Sequence, residues 1–242
     1  MTAAPFTLTL RRRETIAERT MAFHFEEPSG FVFKAGQTLD YTLVNPPETD
    51  AEGNTRTFSI ASAPQDDDIV MATRLRDTAF KRVLASMPIG TAVQAEGPMG
   101  SFTLHNNAAK PAVFLTGGIG ITPFLSIIRD ARARKLPHQL WLFYSNNRPE
   151  DAAFLDELQQ LATATPTLHF VPTMTDMAKS SRTWNGETGT IDQKMLGKRL
   201  SDLHGPIYYS AGPPAMVAAM REMLLKAGVD EDDVRAEDFA GY

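Results

Sequence analysis

At 242 residues the chain is long enough to bury the cores of one large or two ordinary domains, and its apolar fraction of 43% and charged fraction of 22% are those of an ordinary globular protein. A net charge of −5 argues against a dedicated nucleic-acid binder, and the local run Arg11-Arg12-Arg13 is followed by Glu14 and Glu18, as at a solvated strand end. The absence of cysteine excludes disulfides, a catalytic thiol and a cysteine-held iron–sulfur cluster on this chain, so any electron carrier is organic or belongs to a partner. Met1 to Arg13 lacks the apolar core of a signal peptide. The one long uncharged run, Pro111 to Ile128, has glycines, two threonines and Pro123 at its centre, which argues against a membrane span. A soluble, cytoplasmic protein with no nucleic-acid partner is expected.

The first 107 residues read as strands. Phe6 to Leu10, Met21 to Phe25 and Leu39 to Leu43 alternate apolar and polar residues, and Ile69 to Leu75 and Ala92 to Ala95 are further short candidates. Turn residues separate them, among them Pro28-Ser29-Gly30, Asn45-Pro46-Pro47 and Gly53-Asn54. Six or so strands at this spacing suggest a closed antiparallel barrel, because closure removes exposed edges. One helix is expected from about Thr78 to Met87, with Phe80, Val83, Leu84 and Met87 on one face and Asp77 or Thr78 as its cap.

Asn106 to Pro111 is polar, then small, then proline, which marks a domain boundary. Beyond it strand and helix patterns alternate: strands over Ala112–Thr116, Gln139–Tyr144, Thr167–Thr173, Pro206–Ser210 and near Val234, with helices to Arg134 and over about 149–162, 192–199 and 213–227. Such alternation implies right-handed crossovers and a parallel sheet covered by helices. The first turn of this half, Gly117-Gly118-Ile119-Gly120-Ile121-Thr122-Pro123, joins a buried strand to an amphipathic helix. Its glycines permit unusual backbone angles or a close approach, and Pro123 suits the first helical position. The turn lacks the third glycine of the dinucleotide fingerprint, so nucleotide binding and a mere packing turn both remain open on this segment alone.

Ligands of open parallel sheets bind beyond the carboxyl ends of the strands. Those ends carry Thr116-Gly117-Gly118, Ser145 to Arg148, Thr173 to Asp176 and Ser210 to Pro214, all rich in small or polar groups. The five histidines show no paired metal spacing and no nucleophile elbow is present, so no metal site is expected.

Four ordered segments resemble the ferredoxin–NADP reductase superfamily of flavoprotein reductases. They are Arg56-Thr57-Phe58-Ser59, Gly97-Pro98-Met99-Gly100-Ser101-Phe102, Gly117 to Pro123, and Ala211-Gly212-Pro213-Pro214-Ala215-Met216; a fifth, Glu237-Asp238-Phe239, is similar to that superfamily's C-terminal end. The implied fold class is β + α/β: an N-terminal antiparallel Greek-key β-barrel holding FAD over residues 1–107, then a parallel five-stranded α/β domain binding NAD(P) over residues 111–242. The resemblance implies that Arg56 grips the flavin diphosphate, for which a planar guanidinium fork is suited. Phe58 stands where the family usually has tyrosine, and would cover the ring without a hydroxyl contact. Ser59 would place its hydroxyl near flavin N5. Arg74 leads toward Thr78, Ala79 and Phe80, whose N–H groups would face a diphosphate; this favours FAD over FMN.

On the other side, the resemblance assigns the pyridine nucleotide to Thr116, Gly117, Gly118 and Thr122, with Gly212, Pro213 and Pro214 as the opposite wall. Ala211 replaces a cysteine found in many relatives. Ser145 and Arg148 would accept a 2′-phosphate, a slight preference for NADPH over NADH, with Glu150 and Asp151 close behind. Phe239 would shield the flavin face, Glu237 would tune its charge, and Tyr242 would stack nearby; Ser59, Thr122, Glu237 and Phe239 form the expected catalytic set. The implied activity is an FAD-dependent NAD(P)H reductase that passes electrons to a separate acceptor, a ferredoxin- or flavodoxin-like protein or other redox partner, with Arg74, Arg76, Lys81 and Arg82 as docking cations. A free flavin or ferric reductase, and a non-catalytic flavin-binding module, are the alternatives.

Overall fold

A computed structural model describes residues 5–239; the expected stacking residue Tyr242 lies outside them. The first half folds into a six-stranded antiparallel sheet built from β1 (Phe6–Ala17), β2 (Thr20–Glu26), β3 (Thr38–Leu43), β4 (Thr55–Ser59), β5 (Asp68–Arg74) and β6 (Ala92–Met99). Its order is β4-β3-β6-β1-β2-β5, and the two edge strands approach each other so that the sheet curls into a barrel. Alternation explains the inward face: Leu8 and Leu10 of β1, Phe23 and Phe25 of β2, and Leu39 and Tyr41 of β3 all bury into one core. Helix α1 (Ala79–Ser86) adds Phe80 and Leu84, each about 1% exposed. Burying two such side chains contributes roughly 1.5–3 kcal/mol each.

The second half is an all-parallel sheet of β7 (Ala112–Gly117), β8 (Leu140–Asn146), β9 (Leu168–Met174), β10 (Glu187–Thr188), β11 (Ile207–Gly212) and β12 (Val234–Asp238), ordered β10-β9-β8-β7-β11-β12. The central strands β7 and β11 are buried along their whole length, as expected of strands covered on both faces. Helices α2 (Thr122–Ala133), α3 (Leu155–Ala164), α4 (Gln193–Gly197) and α5 (Pro214–Lys226) supply the cover. Helix α5 is closed by the C-cap Ala227, and Gly228 follows at φ +85°, the left-handed position its sequence context suggested.

The parallel sheet has six strands where five were expected. The extra strand, β10, is two residues long inside the loop after β9, and it pairs with Thr173 and Met174; two residues carry no readable period. Pro123 is the second residue of α2, since a 3₁₀ turn over Gly118–Ile121 runs directly into the helix at Thr122.

The two sheets meet through α2 and the connector after β6. Phe102 packs on Phe124 and Tyr209, and Ser126 donates to the Ser62 carbonyl at 2.6 Å. Asp130 accepts from Gln65 at 2.8 Å. These contacts tie α2, which opens directly beyond the glycine turn, to the loop that follows β4, and so fix the strand ends of one half against the rim of the other.

Candidate functional site

Between the two halves lies a cavity of about 370 Å³. The barrel contributes the end of β4, from Arg56 to Ser59, with Arg74 at the end of β5 and Lys81 from α1. The α/β half contributes Ile119 from the glycine turn, Thr122 at the start of α2, and Glu237, Asp238 and Phe239 at the end of β12. These elements converge because they meet at the same seam: β4 and β5 are the adjacent edges of the barrel, and β12 and the turn after β7 lie at the carboxyl edge of the parallel sheet.

Among the described residues, two polar atoms in this cavity lack a partner. The Ser59 hydroxyl, on a residue only 5% exposed, makes no hydrogen bond, and neither does Oε2 of Glu237. Buried polar groups are normally satisfied, so two orphans lining one cavity point to a polar ligand that meets them. Burial, reinforced by neighbouring Asp238, raises the Glu237 carboxyl above the usual carboxylate range. The aromatic wall is Phe58, whose ring lies 5.9 Å from both Tyr41 and Phe80, with Phe239 opposite on the α/β side.

The cationic end is more heavily engaged. Arg56 stacks 5.3 Å over the Phe80 ring, pairs with Glu52 at 2.8 Å and Asp50 at 3.4 Å, and donates to the carbonyls of Glu52, Gly53 and Thr55. Thr78 caps α1 by accepting from the Lys81 N–H, Ala79 donates its N–H to Asp50 at 3.0 Å, and Phe80 is core. Thr57 donates to Asp40. Arg74 reaches across to Asp151 at 3.4 Å. Lys81 carries no ion pair among the described residues, and desolvation, with Arg76 and Arg56 nearby, lowers its ammonium to a pKa of about 8. Sequence reasoning weighed Lys81 only as a docking cation, because whether a lysine on a short amphipathic helix faces inward depends on tertiary packing.

The glycine turn divides its tasks. Gly118 adopts φ +54°, whereas Gly117 is extended. Gly120 is required by packing: a Cβ there would stand 2.4 Å from the Ala211 carbonyl and 2.6 Å from Gly212 Cα. Its close approach is thus to β11. Of this motif only Ile119 and Thr122 line the cavity, and Thr122 donates to the Ile119 carbonyl at 3.1 Å. Thr116 is fully buried and bonds the Ala211 carbonyl at 2.8 Å. Gly117 and Gly212 face each other across adjacent strands, Gly212 at φ +145°, with Pro213 and Pro214 opening α5 beyond them. Ser145, half-buried, is in register with Gly117 on β7. All of these cluster at the carboxyl edge of the sheet, next to the cavity. Arg148 lies apart, held by Asp151 at 2.9 Å and by Glu18 at 2.7 Å.

Among the described residues no helix is long and apolar enough to cross a membrane. Residues 114–222 match the family model described as an oxidoreductase NAD-binding domain. The chain is 28% identical over 232 residues to the glycine betaine monooxygenase reductase subunit of Chromohalobacter salexigens, covering 94% of this chain and 61% of that protein. It is 27% identical over 230 residues to ferredoxin–NADP reductase B of Sorangium cellulosum, covering 91% of each. It spans 57% of the propane 2-monooxygenase reductase component of Rhodococcus jostii, so it covers about three-fifths of the length of the first relatives it matches. A solved ferredoxin NADP⁺ reductase from Neisseria gonorrhoeae, with bound FAD and NADP, superposes with a TM-score of 0.80 at 21% identity over 98% of this chain and 99% of that one. With its motifs in order, its barrel joined to a parallel α/β sheet and relatives along nearly its whole length, the chain is similar throughout to flavoprotein reductases of the ferredoxin–NADP reductase type, and its second half carries an oxidoreductase NAD-binding domain.

Proposed function

We propose that the chain is an FAD-dependent NAD(P)H reductase that takes a hydride from a reduced pyridine nucleotide and passes electrons to a separate acceptor. The observation that carries the reading is the pairing of the Ser59 hydroxyl and the Glu237 carboxyl as unsatisfied groups in a cavity shared by both halves. Their donor and acceptor capacities fit the polar edge of a flavin ring, and Phe58 and Phe239 supply apolar faces for its body. The cavity residues thus fit FAD. Bound there, it supplies the hydride-accepting ring and the means to release electrons singly.

The division into an FAD-binding barrel over 1–107 and an NAD(P)-binding domain over 111–242 follows the two sheets. Ser59 orients the ring edge with its hydroxyl. Glu237, neutral more readily than an ordinary carboxyl, donates rather than repels at a position where negative charge develops. Phe239 covers the face that the nicotinamide must reach and moves aside when it arrives. Arg56 and the first turn of α1, from Thr78 to Phe80, hold the diphosphate, with Thr57 and Arg74 at the rim. Thr122, Gly117 and Gly118 seat the nicotinamide end of the coenzyme, with Thr116, Gly212, Pro213 and Pro214 shaping the wall around it.

Ser145 and Arg148 are the candidates for the adenosine end. A 2′-phosphate would have to compete with Asp151 and Glu18 for the Arg148 guanidinium, which favours NADH over the NADPH that the sequence slightly suggested. As acceptor we favour a soluble redox protein of an oxygenase system, since relatives over most of this chain are named as reductase components of monooxygenases and dioxygenases. The test is an anaerobic titration of the purified protein with NADH and with NADPH, followed by a panel of acceptors. Bleaching of bound flavin by either nucleotide is expected; a yellow protein bleached by neither would leave only the non-catalytic flavin module.

A further inference from the structure

The loop from residue 44 to residue 54, between β3 and β4, turns three carboxylates toward α1 and the Arg56 guanidinium of β4. Glu48 makes a two-point pair with Arg82 at 2.9 and 2.6 Å, and Glu52 accepts from Arg56 at 2.8 Å. Between them Asp50 places Oδ2 3.0 Å from the Ala79 N–H and Oδ1 3.4 Å from the Arg56 guanidinium. One carboxylate therefore bridges the first backbone donor of α1 and the arginine beside it, the same two donors that the flavin reading assigns to the diphosphate.

We propose that Asp50 is a built-in competitor for the flavin diphosphate subsite, so that FAD is admitted by displacement of the 44–54 loop and remains exchangeable with the solution. The proposal rests on the flavin reading of the cavity. The donors are charge-selective: an N–H at a helix start and a guanidinium favour any anion, and a tethered carboxylate competes at high effective concentration. The diphosphate wins at sufficient flavin, because it carries more charge and more acceptor oxygens than one carboxylate.

The loop is built to release. Val44, Asn45, Pro47, Glu48, Thr49 and Asp50 are exposed, so its hold on α1 is ionic. Its base is pinned by Leu43 and Asn54, which exchange backbone and side-chain hydrogen bonds at 2.9 and 2.8 Å. Opening therefore breaks the exposed Glu48–Arg82 pair and the part-buried contacts of Asp50 to Arg56 and the Ala79 N–H, and moves no core side chain of the loop.

The experiment titrates the full chain, freed of flavin, with FAD, ADP and riboflavin, following flavin fluorescence and heat of binding. Asp50→Asn, which keeps the shape and loses the charge, should bind FAD and ADP about tenfold more tightly, the scale of one charge-assisted contact, and riboflavin unchanged. Asp50→Ala, which removes the hydrogen bond as well, should tighten FAD at least as much, and FAD should leave both variants more slowly. Equal FAD affinity in wild type and both variants, with riboflavin still bound, would overturn the proposal and leave the flavin site standing. Weaker FAD binding in the variants would also overturn it, by making Asp50 part of the binding site. If neither FAD nor riboflavin binds any of the three proteins, the flavin reading of the cavity falls and the proposal with it.

Discussion

Two helix starts face the seam between the halves, and they are built in opposite ways. Helix α1 is capped by the Thr78 side chain, which takes the Lys81 N–H, and its first N–H, that of Ala79, is taken by the Asp50 carboxylate. The turn that leads into α2 has no side-chain cap at either the 3₁₀ segment or the helix, and its shape is set by backbone packing against β11. One end is thus tuned by charge from a distant loop, the other by steric fit to a neighbouring strand. Substitutions should separate the two: changes at the second end act on folding, changes at the first on affinity.

The largest effect is expected at the steric end. Gly120→Ala puts a Cβ 2.4 Å from the Ala211 carbonyl, where neither backbone can withdraw without moving a central strand. Overpacking against backbone should cost about 3 kcal/mol or more. The melting temperature of the apo-protein is the readout, and a shift of under a degree would mean that the turn yields. Arg56→Ala, at the charged end, should keep the chain folded with a smaller drop in melting temperature than Gly120→Ala, while weakening FAD binding about a hundredfold, since a charge-assisted contact is lost and Asp50 and Glu52 are left uncompensated. Full retention of flavin by that variant would remove Arg56 from the diphosphate site.

A smaller and more selective change is expected at Ser59. Ser59→Ala removes the orphan hydroxyl from a buried position, so it should not destabilise the fold. The rate of flavin reduction in single-turnover mixing should fall about tenfold, with little change in FAD affinity, because the hydroxyl acts on the reacting edge of the ring. A variant that loses flavin at the same rate as it loses activity would make Ser59 a binding residue.

The contrast also explains which parts were readable in the sequence. Strand alternation in the barrel and the glycine turn are local signals, and β2, β3, α1 and α2 follow them closely, whereas β1 runs seven residues beyond the expected Leu10, to Ala17. Ser59, Thr122, Glu237 and Phe239 follow from the family resemblance, not from the strand-end rule, and all four line one cavity. The electrostatics of the flavin end were not legible. Asp50 and Ala79 are 29 residues apart, and Arg82 and Glu48 are 34 apart. No period or motif links them; only the barrel topology does. Gly120 shows the reverse case, a motif glycine whose purpose the sequence left open between ligand and packing and which the structure assigns to packing.

The smallest effect concerns protons. Desolvation and the nearby Arg76 and Arg56 depress the Lys81 ammonium to a pKa of about 8 in the folded chain, below its value in the unfolded one. The unfolded state therefore binds more protons between that value and the ordinary lysine range, so this group makes the fold more stable as pH rises through that window. Anion binding runs the other way. A diphosphate beside Lys81 favours its charged form, so FAD and ADP should bind with proton uptake near pH 8 and should weaken several-fold, on the order of one charge contact, between pH 7 and pH 9. In Lys81→Met the affinity should be lower at pH 7 and flat across that range, while riboflavin, which has no phosphate, should show no slope in either protein. An ADP affinity that is flat with pH in the wild type would place the ammonium outside the anion's reach and leave Arg56 and the α1 N–H groups as the cradle.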